Sequence, residues 1–175
     1  MRYLLIAENP GFSVSHREEL LRRLRAVLPV IAVRIATGHV EVDVKTDDLE
    51  KAVAEVEKVV GKVLEVVDIT FITFEDVGGG VERYVDLFNR ERFWEAHNAL
   101  EGLWRKTRNA TLQGLIMLAA AFVKLQEGQP DKFEKMLKEA LHRLKEDVGC
   151  IKMERLLEKA ENALLDKRHF KIECA

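Results

Sequence analysis

Apolar residues in the first part of the chain switch between two periods. Residues 3–7, Tyr-Leu-Leu-Ile-Ala, form a short apolar run that Asn9-Pro10-Gly11 breaks, which predicts a strand followed by a turn. Leu20, Leu21, Leu24 and Val27/Leu28 then recur at helical spacing up to Pro29, with Ser15 and Glu18 spaced as a capping box. Residues 30–35 are rich in β-branched side chains and predict a second strand. Thr37-Gly38 reads as a tight turn into a third, where Val40, Val42 and Val44 alternate with His39, Glu41 and Asp43. Thr46 or Asp47 caps a second helix with an apolar stripe of Leu49, Val53, Val56 and Val59/Val60, and Gly61 stops it. Residues 63–71 supply a last strand.

The resulting order, βαββαβ, predicts a ferredoxin-like module over residues 1–72 with both helices on one sheet face. Gly78-Gly79-Gly80 marks residues 73–80 as a flexible linker. From residue 81 the period is helical throughout. Helices are expected at 81–89, 91–104, 112–127, from Asp131 to about Leu144, and 152–165, which makes an all-helical bundle of about five helices and an α+β chain overall. The 112–127 segment is apolar nearly all round and should be sheathed by its neighbours. Gly114 within it offers a place for another helix to approach closely.

Composition narrows the partners. The chain has 175 residues, 47% hydrophobic and 33% charged, with net charge −2, as expected of a folded and water-compatible protein. Lys+Arg against Asp+Glu count 10 to 12 over residues 1–72 and 18 to 18 afterwards, so neither part has the basic excess of a nucleic-acid binder. Arg17, Arg22, Arg23 and Arg25 make the first helix basic, but Glu41 and Asp43 on the third strand would repel a phosphate backbone. The longest apolar run, residues 115–123, is far short of the ~20 residues of a membrane span, and the N-terminal run is too short for a signal peptide. Neither nucleic acid nor membrane is expected as a partner. Cys150 and Cys174 have no metal or redox spacing, so free thiols in a reducing cytoplasm are expected. Only three Gln beside abundant Glu, Lys and Arg gives a thermophile-like composition.

The chemistry concentrates in Phe93-Trp94-Glu95-Ala96-His97-Asn98-Ala99-Leu100-Glu101-Gly102-Leu103-Trp104. At about 100° per residue from Trp94, Trp104 falls near ~280°, His97 near ~300° and Glu101 near ~340°, with Phe93 and Leu100 near ~250° at the core. His97 and Glu101 therefore sit on the shoulder of the core face, four residues apart and within reach of each other. Such a pair can serve as a general base with its orienting partner. It can give two metal ligands, too few for a zinc site. It can also present a hydrogen-bonding edge to a ligand, walled by Trp94 or Trp104. The structural alternative is that His97 donates to Glu101 and the pair bonds a buried amide such as Gln113. Arg105, Lys106 and Arg108 could hold an anion beside the site or simply offset the helix dipole. His142 lacks a spacing match and is expected to be partly exposed.

Phe88-Asn89, Phe93-Trp94-Glu95-Ala96-His97, Leu100-Glu101, Trp104-Arg105, Leu112-Gln113-Gly114-Leu115-Ile116 and Ala119-Ala120-Ala121 together resemble the DUF309 family. That family comprises small helical proteins without a defined biochemical function, marked by a His-x-x-x-Glu-x-x-Trp motif. The motif is complete here at His97, Glu101 and Trp104, and the resemblance covers about residues 81–144. It implies a helical bundle and no particular reaction. Some relatives carry a His where this chain has Val123, so a site needing a second imidazole there is incomplete. The first 72 residues lie outside the resemblance.

Two functions follow as expectations. One is a cytoplasmic binding or scaffolding protein with a small polar pocket formed by Trp94, His97, Glu101, Trp104, Arg105 and Gln113. Its ligand is a small molecule or another protein, or a second copy docked on an open sheet face made sticky by Leu4, Ile6, Ile31 and Val33. The other is a hydrolase-like or metal-assisted enzyme with His97 as base or ligand and Glu101 orienting it. No cofactor or resident metal is expected.

Overall fold

A computed structural model describes residues 1–72 and 80–174. The chain separates into two compact units, Met1–Ile72 with Gln126–Gly128, and Thr73–Leu125 with Gln129–Ala175. The glycine linker at 73–80 lies outside the described residues except for Gly80, which begins a helix.

The first unit runs β1 (Arg2–Glu8), a 3-10 turn (Val14–His16), α1 (Arg17–Arg25), β2 (Val30–Ile35), β3 (His39–Lys45), α2 (Leu49–Val59) and β4 (Val63–Asp68). Its sheet order is β2-β3-β1-β4 with every neighbouring pair antiparallel. This is the ferredoxin-like arrangement that the alternation predicts. Leu5 lies opposite Val42 and Val42 opposite Val33, and these join Leu20, Leu24, Ala52 and Val56 from the helices in one core. Helix entry begins earlier than expected. Ser13, not Ser15, opens the 3-10 turn, its amide donating to His16 Nδ1 at 2.9 Å. Gly61 has a different reason from a helix stop: a Cβ there would stand 2.8 Å from the Glu8 carbonyl oxygen, so glycine lets the chain pass β1.

The second sheet face differs from the expected open apolar surface. It carries Leu4, Ile6, Arg34, Glu41 and Asp43, all buried. Val33 turns to the helices, and a register shift between Val30 and Ala32 leaves Ile31 as the exposed member of the expected patch. Arg34 Nε donates to Glu41 Oε2 at 2.9 Å, and Arg2 holds Asp43 through two bonds of 2.9 and 2.7 Å. Burial alone would raise the Glu41 pKa, but His39, whose Nε2 stands 3.5 Å from Oε1, and the charge and hydrogen bond of Arg34 outweigh it and leave it lowered. Buried charges survive only when so paired.

The second unit contains α3 (Gly80–Asn89), α4 (Phe93–Ala99), α5 (Glu101–Thr107), α6 (Ala110–Gln126), α7 (Pro130–Arg143) and α8 (Met153–Asp166). The expected 91–104 helix is two helices, which gives six among the described residues. Phe122 of α6 anchors the core, stacking on Phe93 at 5.0 Å and meeting Phe88, Phe133 and Phe170 edge-on at 5.6, 5.2 and 5.7 Å. Leu115, Leu118, Ala119 and Ala121 are buried along α6, as its all-round apolarity requires. Tyr84 Oη donates to the Leu115 carbonyl at 2.6 Å, and burial pushes its pKa well above the usual tyrosine value. Gly114 brings α7 close: a Cβ there would stand 2.9 Å from Leu144 Cδ2.

Free thiols are not found. Cys150 and Cys174 form a disulfide, with Cα atoms 4.7 Å apart. Linear spacing hides this pairing because the C-terminal segment folds back along the bundle. Asn89 Nδ2 donates to the Ile172 carbonyl at 2.9 Å while its Oδ1 accepts from the Ile172 amide at 2.7 Å. Among the described residues no helix is long and apolar enough to cross a membrane.

Candidate functional site

The site is built on α4 and α5. At the start of α4, Arg92 grips Glu95 through Nε–Oε1 at 2.6 Å and Nη2–Oε2 at 2.9 Å, with both side chains buried. A carboxylate in the first turn also complements the helix dipole. Phe93, Ala96 and Leu100 point into the aromatic core. With that face buried, His97 and Glu101 come to the shoulder, where their side chains are 32% and 16% exposed.

The helix breaks between them at Leu100 (φ −103°, ψ −7°). Asn98 supplies a physical cause: its Nδ2 donates to the Trp94 carbonyl at 3.0 Å, competing for the acceptor of a regular helical bond. The i,i+4 connection resumes at once, with Trp104 N donating to the Leu100 carbonyl at 2.9 Å. His97 and Glu101 therefore remain neighbours across a bend.

His97 Nε2 stands 3.6 Å from Glu101 Oε1. That is an electrostatic contact longer than a hydrogen bond. Partial burial lowers the His97 pKa, although the Glu101 charge and a hydrogen bond with the Asn98 side chain pull it upward. The lowered pKa favours the neutral imidazole, which has one donor and one acceptor nitrogen. Glu101 Oε2 lies 3.8 Å from Arg105 Nε, so His97, Glu101 and Arg105 form one row along the bend. Trp94 and Trp104 are half-buried against the core. Arg108, left-handed at φ 55°, ends α5 with its guanidinium carbon 4.7 Å over the Trp104 ring.

Of the six residues expected in the site, the structure places His97, Glu101 and Arg105 in direct succession, with Trp94 and Trp104 on the same two helices. Gln113 is engaged elsewhere: its Oε1 accepts from Arg143 Nε at 3.3 Å, on the seam where Gly114 meets α7. His142 is exposed. Among the described residues, no group of three or more His, Cys, Asp or Glu is placed to hold a metal ion.

Sequence reasoning missed Arg92, Glu95 and Asn98 as contributors. Arg92 and Glu95 are legible as an i,i+3 charge pair, but at about 100° per residue from Trp94 the Glu95 side chain falls far from the Phe93–Leu100 core face. Asn98 was a signal for the bend, since its short amide disfavours helix interiors. Arg108, expected either as an anion-holding cation beside the site or as a helix-end cation, lies over the Trp104 ring.

No curated protein and no solved structure matches this chain. Residues 81–136, which run from α3 into α7 and contain His97, Glu101 and Trp104, match the family described as Domain of unknown function (DUF309), so the resemblance carried by the motif holds for that stretch.

Proposed function

We propose that this is a binding protein whose α4–α5 bend recognises a small polar ligand or a polar group of a protein partner. The observation that carries the reading is the His97 edge. A neutral, one-third-exposed imidazole 3.6 Å from its nearest carboxylate has hydrogen-bonding capacity that Glu101 does not consume. Glu101 and Arg105 extend the row with an acceptor and a cation, and the two Trp side chains supply apolar walls. A ligand with a donor or acceptor beside a flat apolar body fits that mixture. A second copy would meet the β4 edge, where Leu64 and Val66 are 58% and 40% exposed.

The direct test is thermal-shift screening of the wild type against small carboxylates, phosphates and heteroaromatics, with His97→Gln and Trp104→Ala as controls. A binder that stabilises the wild type and neither variant supports the proposal. Binders that stabilise all three proteins equally, or no binder at all, count against it.

The enzymatic alternative draws on the same neutral imidazole, which can accept a proton at pH 7 with Glu101 stabilising the imidazolium. Hydrolysis of activated esters that His97→Gln abolishes would favour it over simple binding.

A further inference from the structure

We infer that Cys150–Cys174 is a thiol–disulfide exchange site through which a dithiol reductant releases the C-terminal segment from the helical unit. Three features of that unit bear on this reading. Cys174 is exposed and Cys150 half-exposed, so an attacking thiolate has access without global unfolding. The bond joins the α7–α8 connection to residues 172–174, which are otherwise held by the buried Ile172 side chain and by polar contacts. These are the paired Asn89–Ile172 bonds, the Ile151–Cys174 bridge, and Lys159 Nζ to the Lys171 carbonyl at 2.8 Å. Glu173 adds ion pairs to Arg155 Nη1 at 3.0 Å and Lys159 Nζ at 3.4 Å. Finally, the segment carries Phe170, which packs 5.4 Å from Phe88 and 5.7 Å from Phe122 against the aromatic core that seats α4, so loosening it reaches the helix of His97.

The reaction balances as ordinary exchange. A thiolate of the dithiol attacks Cys174 Sγ, the Cys150–Cys174 bond breaks, and Cys150 departs as a thiolate and takes up a proton. The second thiolate of the reductant attacks its own sulfur in the mixed disulfide, and Cys174 leaves as a thiolate. The protein gains two electrons and two protons overall, and the dithiol becomes a cyclic or protein disulfide.

Losing a cross-link that closes about 25 residues of chain removes a large constraint on opening, so amide exchange across 168–174 should rise ~10-fold or more on reduction. The test treats the native full chain with dithiothreitol, counts free thiols by alkylation and mass spectrometry, and follows exchange together with far-UV circular dichroism. Reduction of both cysteines with helicity retained, faster exchange in 168–174, and reversal by oxidised glutathione would support the site. The Cys174→Ser protein, measured without reductant, should show the same fast exchange. Three results would overturn the inference: resistance to reduction until the unit unfolds, reduction that leaves tail exchange unchanged, or free thiols in air-oxidised wild type.

Discussion

Gly114→Ala sets two effects of known size against each other at the seam between α6 and α7. Alanine favours an α-helix interior over glycine by about 1 kcal/mol. Against that, the new methyl would sit 2.9 Å from Leu144 Cδ2 and 3.1 Å from both Leu144 Cγ and Arg143 Cβ. Leu144 is buried and cannot swing into solvent. Arg143 is tied down by Gln113 and, through Nη1, by the Glu139 carbonyl at 3.1 Å. Overpacking of this kind costs ~1–3 kcal/mol, so crowding should win by about 1 kcal/mol. For a chain of this size the melting temperature should fall by ~2–4 °C. Urea unfolding followed by circular dichroism would measure it, in a cycle with Leu144→Ala. The double variant should lose less than the sum of the singles, because truncating Leu144 makes room for the methyl. A Gly114→Ala protein that is more stable than wild type and shows no coupling to Leu144 would refute the close-approach account of the Leu-Gln-Gly segment.

Three further outcomes follow from the same contacts. Tyr84→Phe removes the hydroxyl bonded to the Leu115 carbonyl and should cost about 1 kcal/mol by urea denaturation, with the fold retained. Asn89→Ala removes both bonds to Ile172 and should cost ~1–3 kcal/mol, with hydrogen exchange raised first in the C-terminal segment. Glu41→Ala removes the nearest buried counter-charge of Arg34, leaving Asp43 shared between Arg34 and Arg2, and should cost roughly 3–5 kcal/mol. Because the folded-state pKa of Glu41 is lowered from 4.5, its contribution is fully present above that value and lost as pH falls through the folded one. A pH series of denaturation midpoints should therefore show a flatter acid limb in the variant.

The fold was legible where periodicity has one meaning. Val40, Val42 and Val44 alternating with Glu41 and Asp43 could only be a strand with two unlike faces, and the βαββαβ order then left few topologies. Phe93, Leu100 and the all-round apolar α6 located the second core, and the wheel set His97 and Glu101 correctly on its shoulder. The failures arise where a residue's role depends on something distant in sequence. Nothing near Cys150 or Cys174 announces that Asn89 folds the tail back to pair them. Arg34 sits in a run of β-branched residues and reads as an exposed exception until β3 places Glu41 opposite it. Gln113 was a sensible partner for Glu101 by distance along the chain, but Arg143 arrives from α7 and claims it. The bend at Leu100 is local and was missed because Leu and Glu are good helix formers, while the disruption comes from the Asn98 amide.

The central claim is that His97 is a neutral, available imidazole rather than half of a structural ion pair. Its pKa, read from imidazole proton and nitrogen shifts in a pH titration of the wild type and of Glu101→Gln, tests this directly. The account predicts a value below 6.5 in the wild type and lower still in Glu101→Gln, since Glu101 raises it while burial lowers it. By linkage, stability should be full above about pH 6.5 and should decline as pH falls toward the folded-state value. A wild-type His97 pKa above 6.5 that drops to the ordinary value in Glu101→Gln would mean a charged imidazole committed to Glu101, and would contradict the account.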